Sequence, residues 1–411
     1  MGNLTSYYTQ IIFLTFIIIN HLWEIYLARR QSHFLHLNRH EVPSVFSSTI
    51  SMEDHQKSIL YSTDRLRLSQ ARLIYQLVLY LYWFPFRGAE NLYTKTSDLS
   101  LTGDIFFLLS FLLIQSLLSL PFSYISTFVI EKKYGFNRTT VKLFFLDLLK
   151  GLILTLLILG PLLFIILKVM SVFKQSWWFI SFVILTLFQF IMLWLYPVVI
   201  APLFNKFTLL ENEELKNKIE KLLSDVGLKS QGIYVMDASK RSTHGNAYFT
   251  GFGKAKRVVF YDTLLDKLSN DEIIAVLAHE LGHLKLKHIP KQIAVSTVLS
   301  FAALFLMYLL SKTSWFYSGH YMRIITNGTL LFIFSYAMSI YSFWFGPLFS
   351  LLSRKNEFEA DAFAATYSSA SDLKNALLKL YKFNSSPIVS DRVYAFFYYS
   401  HPSPIERFKR L

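Results

Sequence analysis

Seven long, apolar stretches constrain the fold of this chain more than any other feature of its sequence. They cover residues 11–27, 73–86, 105–130, 143–167, 177–203, 293–310 and 330–352. A helix needs about 20 such residues to cross a bilayer, and the second stretch is the shortest. The pattern predicts an α-helical polytopic membrane protein with about seven transmembrane helices in contact with the lipid bilayer.

The composition supports a membrane protein. Hydrophobic residues make up 53% of the 411 residues and charged residues only 17%, whereas about a quarter of a soluble domain is charged. The chain contains no cysteine. Thiolate metal sites, disulfides and a cysteine nucleophile are therefore excluded.

The distribution of basic residues decides between two explanations of the net charge of +14. Such a charge fits either a nucleic-acid-binding surface or the basic cytosolic loops of a membrane protein. Seven spans place the loops alternately on two sides, and 34 of the 41 Lys and Arg residues then fall on one side. That side should be cytosolic, so the N-terminus faces the lumen or exterior and the C-terminus faces the cytosol. No single basic stripe indicates a nucleic-acid partner.

The spans divide the chain into four parts. Residues 1–203 hold five spans, 204–292 form a polar insert, 293–352 hold two further spans, and 353–411 form a C-terminal cytosolic part. The insert is predicted to be a small α/β domain. Its patterns predict helices over 212–226 and 271–287, the second capped by Ser269 or Asn270, and strands over 232–236, 247–252 and 257–261, the last two forming a hairpin around Gly253.

The second predicted helix carries His279, Glu280 and His283 in an H-E-x-x-H motif. Residues four apart lie on one helical face. Both imidazoles can therefore bind one metal ion, while Glu280 handles the proton of a water molecule. A helix that merely happens to carry two histidines is the alternative explanation.

A catalytic zinc takes three protein ligands and keeps one position open. Glu357 is the candidate for the third ligand, and Asp361, on the same helical face, can accept the outer N–H of a metal-bound histidine. Glu359 is an alternative ligand, and an ordinary acidic helix start would explain the same spacing. His288 lies one face away from the ligand pair and is expected to be structural.

The sequence resembles the type I CAAX prenyl proteases, a family of integral membrane zinc metalloendopeptidases, over nearly its whole length. The strings that carry the resemblance are WEIYLARRQ (23–31), LPFSYISTFVIEKKYGFN (120–137), YPVVIAPLFNKF (196–207), SKRSTHGNAYFTGF (239–252), RVVFYDTLL (257–265), HELGHLKLKH (279–288), NEFEADAFA (356–364) and SHPSPIERF (400–408). H-E-x-x-H alone indicates only a zinc peptidase, and the other strings make the resemblance specific.

The resemblance implies roles for individual positions and a fold. The family's zinc ligands, one ion per chain, fall on His279, His283 and Glu357, its general base on Glu280, and its supporting aspartate on Asp361. Asn246 and His401 fall on positions near the bound peptide and the developing oxyanion. The implied fold is seven helices that enclose a water-filled chamber, together with a zinc-peptidase domain on the cytosolic side.

The resemblance also implies a substrate and a location. The family removes the last three residues after a prenylated cysteine in the endoplasmic reticulum, with the inner nuclear membrane as an alternative location. A broader quality-control protease for membrane proteins is the alternative enzyme, and a seven-span transporter or receptor is the non-enzymatic alternative. An intact H-E-x-x-H with a remote Glu357 argues against the latter, because transport needs no such triad.

Overall fold

A computed structural model describes residues 2–228, 230, 232–250 and 257–411. The helices are α1 (Gly2–Leu37), α2 (Met52–Trp83), α3 (Gly88–Thr96), α4 (Leu101–Ile125), α5 (Val141–Val172), α6 (Trp177–Leu195), α7 (Ala201–Phe204), α8 (Glu213–Asp225), α9 (Asp262–Leu265), α10 (Asn270–Lys285), α11 (His288–Ser311), α12 (Ser314–Gly319), α13 (Asn327–Ser342), α14 (Gly346–Tyr367), α15 (Ala370–Phe383), α16 (Arg392–Tyr398) and α17 (Pro404–Arg410). The strands are β1 (Phe207–Leu209), β2 (Ile233–Met236), β3 (Ala247–Thr250) and β4 (Arg257–Tyr261). Short π-helical turns at Ser126–Glu131 and Tyr196–Ile200 extend α4 and α6, and 3-10 turns lie at Ala238–Lys240 and Phe343–Phe345.

Within the described part of the chain, six helical stretches are long and apolar enough to cross a membrane. They are Leu4–Leu37, Leu101–Glu131, Val141–Val172, Trp177–Phe204, His288–Ser311 and Asn327–Tyr367. Each covers one of the predicted transmembrane segments. Most residues in their most apolar segments of 18 residues are not buried. Even in the most buried of these segments, only 39% of the residues lie inside the protein. Such helices need lipid around them.

The predicted segment 73–86 coincides with the last third of α2, which ends at Trp83. α2 is less apolar than the six stretches because charged residues are frequent in its first two thirds. It nevertheless connects the two ends of the helical bundle. Near its start, Asp54 pairs with Lys382 at 2.8 Å on the side of the polar insert. Beyond its end, Glu90 of α3 accepts a hydrogen bond from the backbone N–H of Arg323 at 2.8 Å.

The end of the bundle that contains α3 also contains the N-terminus. Gln10 Nε2 donates to the backbone oxygen of Ser318 at 2.7 Å, and the N–H of Gly328 donates to Asp104 Oδ2 at 2.9 Å. At the opposite end, Arg241 of the insert forms two hydrogen bonds with Asp147 of α5, at 2.8 and 3.1 Å. These contacts place the N-terminal part of α1, α3 and the start of α13 at one end of the bundle, and the polar insert at the other.

The polar insert forms a four-stranded sheet in the order β1-β2-β4-β3. β3 and β4 pair antiparallel, which confirms the predicted hairpin, although its turn around Gly253 lies outside the described residues. Asn212 caps α8 and Ser269 caps α10. Of the two caps predicted for the second helix, Ser269 and not Asn270 is therefore the N-cap. The short strand β1 was not predicted.

A compact apolar core holds the insert to the C-terminal part. Buried members come from α8, the sheet, α10, α14 and α15, among them Ile219, Phe260, Leu277, Ala364 and Leu373. α10 and α14 are in close contact at Gly282. A Cβ atom there would lie 3.1 Å from Ala360 Cα and 3.2 Å from Phe363 Cβ. The absence of a side chain at this position lets the two backbones pack directly.

We expect Gly282→Val to destabilise the protein by about 1–3 kcal/mol, because a branched side chain would overpack the contact between α10 and α14. Thermal unfolding of the detergent-solubilised protein measures this effect. Gly151→Val in α5 is the matched control, since a Cβ at that position meets nothing within 4 Å. Equal melting temperatures of the two variants would contradict the packing argument.

Candidate metal centre

Three predicted ligand side chains converge where α10 meets α14. His279 Nε2 lies 3.2 Å from His283 Nε2. The carboxylate of Glu357 lies 3.4 Å from His279 Nε2 and 3.3 Å from His283 Nε2. The alternative ligand Glu359 is not part of this group, because its carboxylate contacts His288 instead. The spacing of i and i+4 on α10 brings the imidazoles together, and the helix contact at Gly282 brings the carboxylate to them.

The donor set fits a tetrahedral metal ion such as zinc. Ligand atoms about 2.0–2.1 Å from a tetrahedral centre lie about 3.3–3.4 Å apart, and the three measured separations are close to this value. One carboxylate oxygen of Glu357 is buried and has no hydrogen-bond partner among the described residues. Acceptor atoms that face one another at such distances repel each other unless a cation lies between them.

Asp361 has the position that the sequence predicts for it, behind His279. Its Oδ1 accepts a hydrogen bond from His279 Nδ1 at 2.9 Å. Arg407 pairs with the other oxygen through Nε at 2.8 Å, and both residues are buried. The N–H on Nδ1 leaves the lone pair of His279 on Nε2, directed at the ligand group.

His288 lies on the outer side of the second ligand histidine. Its Nδ1 is 3.0 Å from His283 Nδ1, and its Nε2 is 3.0 Å from Glu359 Oε2. The sequence predicts a structural role for His288 and does not predict these contacts. The spacing of residues along α10 could not predict these two contacts, because they depend on the position at which α11 begins.

Glu280, Asn246 and His401 line one small cavity of about 130 Å³ beside the ligand group. His401 Nε2 lies 3.5 Å from Glu357 Oε1, and its side chain is 64% exposed. Burial raises the pKa of Glu280 above its ordinary value. A carboxyl group with a raised pKa is better suited to general-base work near neutral pH.

The edge strand β3 leads out of this cavity. Asn246 directly precedes it and is held by the sheet, since its backbone oxygen accepts from the N–H of Tyr261 at 3.0 Å. Its side-chain Oδ1 accepts from the N–H of Ala247 at 2.9 Å. Its amide Nδ2 is then the remaining donor group. An edge strand beside a cavity can pair with an extended peptide.

No role was predicted for Arg407, although this residue belongs to the C-terminal string 400–408 that carries the family resemblance. The sequence signal that could have indicated a role was the presence of a basic residue within this string. Its partner Asp361 is close only in the folded chain, so no spacing rule could pair them.

Two family models together match nearly the whole chain. One describes the CAAX prenyl protease N-terminal region with five membrane helices and matches residues 31–206. The other describes peptidase family M48 and matches residues 209–411. The boundary between the two falls at the start of the polar insert. A metallopeptidase family implies that the protein uses a metal ion.

Similar proteins match end to end. The CAAX prenyl protease 1 homolog of Arabidopsis thaliana is 37% identical over 96% of each chain. The human CAAX prenyl protease 1 homolog is 32% identical over 95% of this chain and 92% of its own. The crystal structure of S. mikatae Ste24p superposes with a TM-score of 0.92 at 34% identity, over 98% of both chains.

These likenesses confirm the predicted fold, a helical polytopic membrane protein with a small α/β metalloprotease domain. They also exclude the transporter or receptor alternative, since both halves match peptidase models. The chain belongs to peptidase family M48 and is an integral membrane metalloendopeptidase of its CAAX prenyl protease branch.

Proposed function

We propose that this protein is a zinc-dependent endopeptidase that removes the C-terminal tripeptide from prenylated CAAX proteins. The observation that carries the proposal is the cavity beside the three ligand groups, into which Glu280, Asn246 and His401 all face. The names of the similar proteins support the substrate class. The cavity adjoins an edge strand, which suits a peptide substrate better than a small molecule.

His279, His283 and Glu357 would hold the zinc ion. When bound, zinc supplies Lewis acidity and makes water acidic enough to act as a nucleophile near neutral pH. Asp361 keeps the proton of His279 on Nδ1, so that Nε2 stays available as a ligand. Arg407 balances the buried negative charge of Asp361.

Glu280 acts as the proton carrier. Its carboxylate takes the proton of the attacking water and passes it to the nitrogen of the leaving amine. The C–O bond to the attacking water forms first, and the C–N bond breaks once the nitrogen has received the proton, which restores the carbonyl and releases the amine. The raised pKa of Glu280 favours both steps, because a base that is too weak to hold the proton could not deliver it.

Asn246 and His401 stabilise charge that develops on the scissile carbonyl oxygen. Asn246 Nδ2 and a ring N–H of His401 are the donor groups, and such a donor is typically worth about 10²–10³ in rate. β3 pairs with the substrate backbone and so aligns the scissile bond with Glu280.

The protein resides in a membrane, which we propose to be that of the endoplasmic reticulum, with the N-terminus in the lumen and the metal centre in the cytosol. The excess of basic residues on the side of the insert supports this orientation. α2 would be the seventh span. It contains 32 residues, about 48 Å of helix, and connects the two ends of the bundle.

Glu280→Gln should retain zinc and lose at least about 10²-fold in kcat, because it removes the proton carrier and leaves the ligands in place. His279→Ala and Glu357→Ala should lose zinc as well as activity. Metal analysis of the purified variants, together with peptide hydrolysis, separates the two effects. Full activity of zinc-free wild-type protein would disprove the mechanism.

A farnesylated CAAX peptide should be cleaved with a kcat/KM at least about tenfold higher than its unprenylated counterpart. This factor needs burial of only about two CH₂ groups of the isoprenoid, at about 0.8 kcal/mol each. Glu280→Gln, assayed in parallel, excludes a contaminating protease. Equal cleavage of the two peptides would favour the broader quality-control protease instead.

The absence of cysteine allows a direct test of orientation. Glu213→Cys in the insert should react with a membrane-impermeant thiol reagent in sealed microsomes, and Lys174→Cys, between α5 and α6, only after detergent is added. Both positions are exposed. The wild-type chain, which has no cysteine, is the blank. The reverse pattern would invert the proposed topology.

A further inference from the structure

His288 is buried between a ligand histidine and a carboxylate. It is the first residue of α11, is 1% exposed, and contacts His283 through Nδ1 and Glu359 through Nε2, each at 3.0 Å. Both of its ring nitrogens are therefore occupied by side chains from other helices. Simple packing would be served equally well by an apolar residue, which would need no partners.

These contacts determine where the protons lie. A carboxylate can only accept, so His288 donates its Nε2–H to Glu359. Nδ1 of the neutral ring is then an acceptor, and the short contact with His283 requires the proton to be on His283 Nδ1. The lone pair of His283 is left on Nε2, which faces Glu357 at 3.3 Å.

We infer that His288 and Glu359 are positioning residues that fix the tautomer and the orientation of His283 as a metal ligand. The inference rests on the proposed role of His283. It makes the two ligand histidines equivalent, since Asp361 does for His279 what the pair of His288 and Glu359 does for His283. Partners of this kind raise the metal affinity of histidine ligands.

The backbone conformation of the residue before His288 indicates that the position of His288 is specific rather than incidental. Lys287 lies between α10 and α11 with φ 59° and ψ 34°, in the left-handed region. A non-glycine residue there is uncommon and costs about 1–3 kcal/mol. This conformation separates α10 from α11, and the first residue of α11 contacts His283.

The exposed side of Glu359 offers a matched control. Glu359 Oε1 lies 3.8 Å from Lys355 Nζ, whose side chain is 74% exposed. Lys355→Gln removes this ion pair and leaves the contact with His288 intact. A general electrostatic effect of Glu359 would respond to Lys355→Gln, whereas an effect transmitted through His288 would not.

The test is the Zn²⁺ dissociation constant of the full-length, detergent-solubilised protein, measured by competition with a chromogenic chelator. We expect His288→Ala to raise Kd by about 10–100-fold, Glu359→Gln to raise it less, and the double variant to match His288→Ala. His288→Gln keeps a donor and an acceptor and should restore part of the affinity. Lys355→Gln should leave Kd unchanged. The absorption bands of the Co²⁺-loaded protein should shift in His288→Ala.

Unchanged Zn²⁺ affinity and an unchanged Co²⁺ spectrum in His288→Ala, with a lower melting temperature of the metal-free protein, would overturn the inference and assign His288 to packing. Shifts of similar size but opposite sign in Lys355→Gln and Glu359→Gln would also overturn it, because a general electrostatic effect predicts that pattern. His283→Ala distinguishes these results from a failure of the proposed function. If His283→Ala keeps full Zn²⁺ affinity, the ligand assignment itself is wrong.

Discussion

The direct packing of α10 on α14 is the interaction on which the metal centre depends. α10 carries both imidazoles and α14 the carboxylate, so the separation of the ligand atoms is set by the distance between the two helices. Gly282 permits that distance, because its missing side chain lets the backbone of Ala360 approach. The apolar core of the insert then holds α10 in place. The packing of α10 on α14 thus determines both the geometry of the metal centre and the stability of the fold.

Burial of so many acidic groups in one place requires compensation. Glu280, Glu357 and Asp361 lie within the same small region, and a bare carboxylate is costly to bury. Arg407 supplies one positive charge, paired with Asp361, and a zinc ion would supply two more. Each ligand histidine is also held through its outer nitrogen. These contacts fix the imidazoles before a metal arrives and reduce the entropy that binding must overcome.

Local features of this chain were predictable from the sequence, and long-range pairings were not. Both histidines and Glu280 follow from one helical repeat, and Ser269 follows from capping chemistry. Glu357 lies on another helix, so the need for a third zinc ligand and its spacing from Asp361 made it a candidate beside Glu359, and the family resemblance then placed a ligand on it. The pairing of Arg407 with Asp361 and the contact of His288 with His283 depend on tertiary packing that no periodicity encodes. α2 is long enough, at 32 residues, to span a bilayer, but charged residues are frequent in its first two thirds, so that only its last third stands out as an apolar stretch.

The C-terminal segment completes the site from two directions. His401 reaches the cavity at 3.5 Å from Glu357, and Arg407, in the following helix α17, reaches Asp361 from behind. Ser403 caps α17 through a capping box with Glu406, which fixes the path between these two contacts. A single short segment therefore joins the substrate side of the metal centre to its support. The geometry of the centre therefore depends on the packing of the C-terminal segment as well as on the contact between α10 and α14.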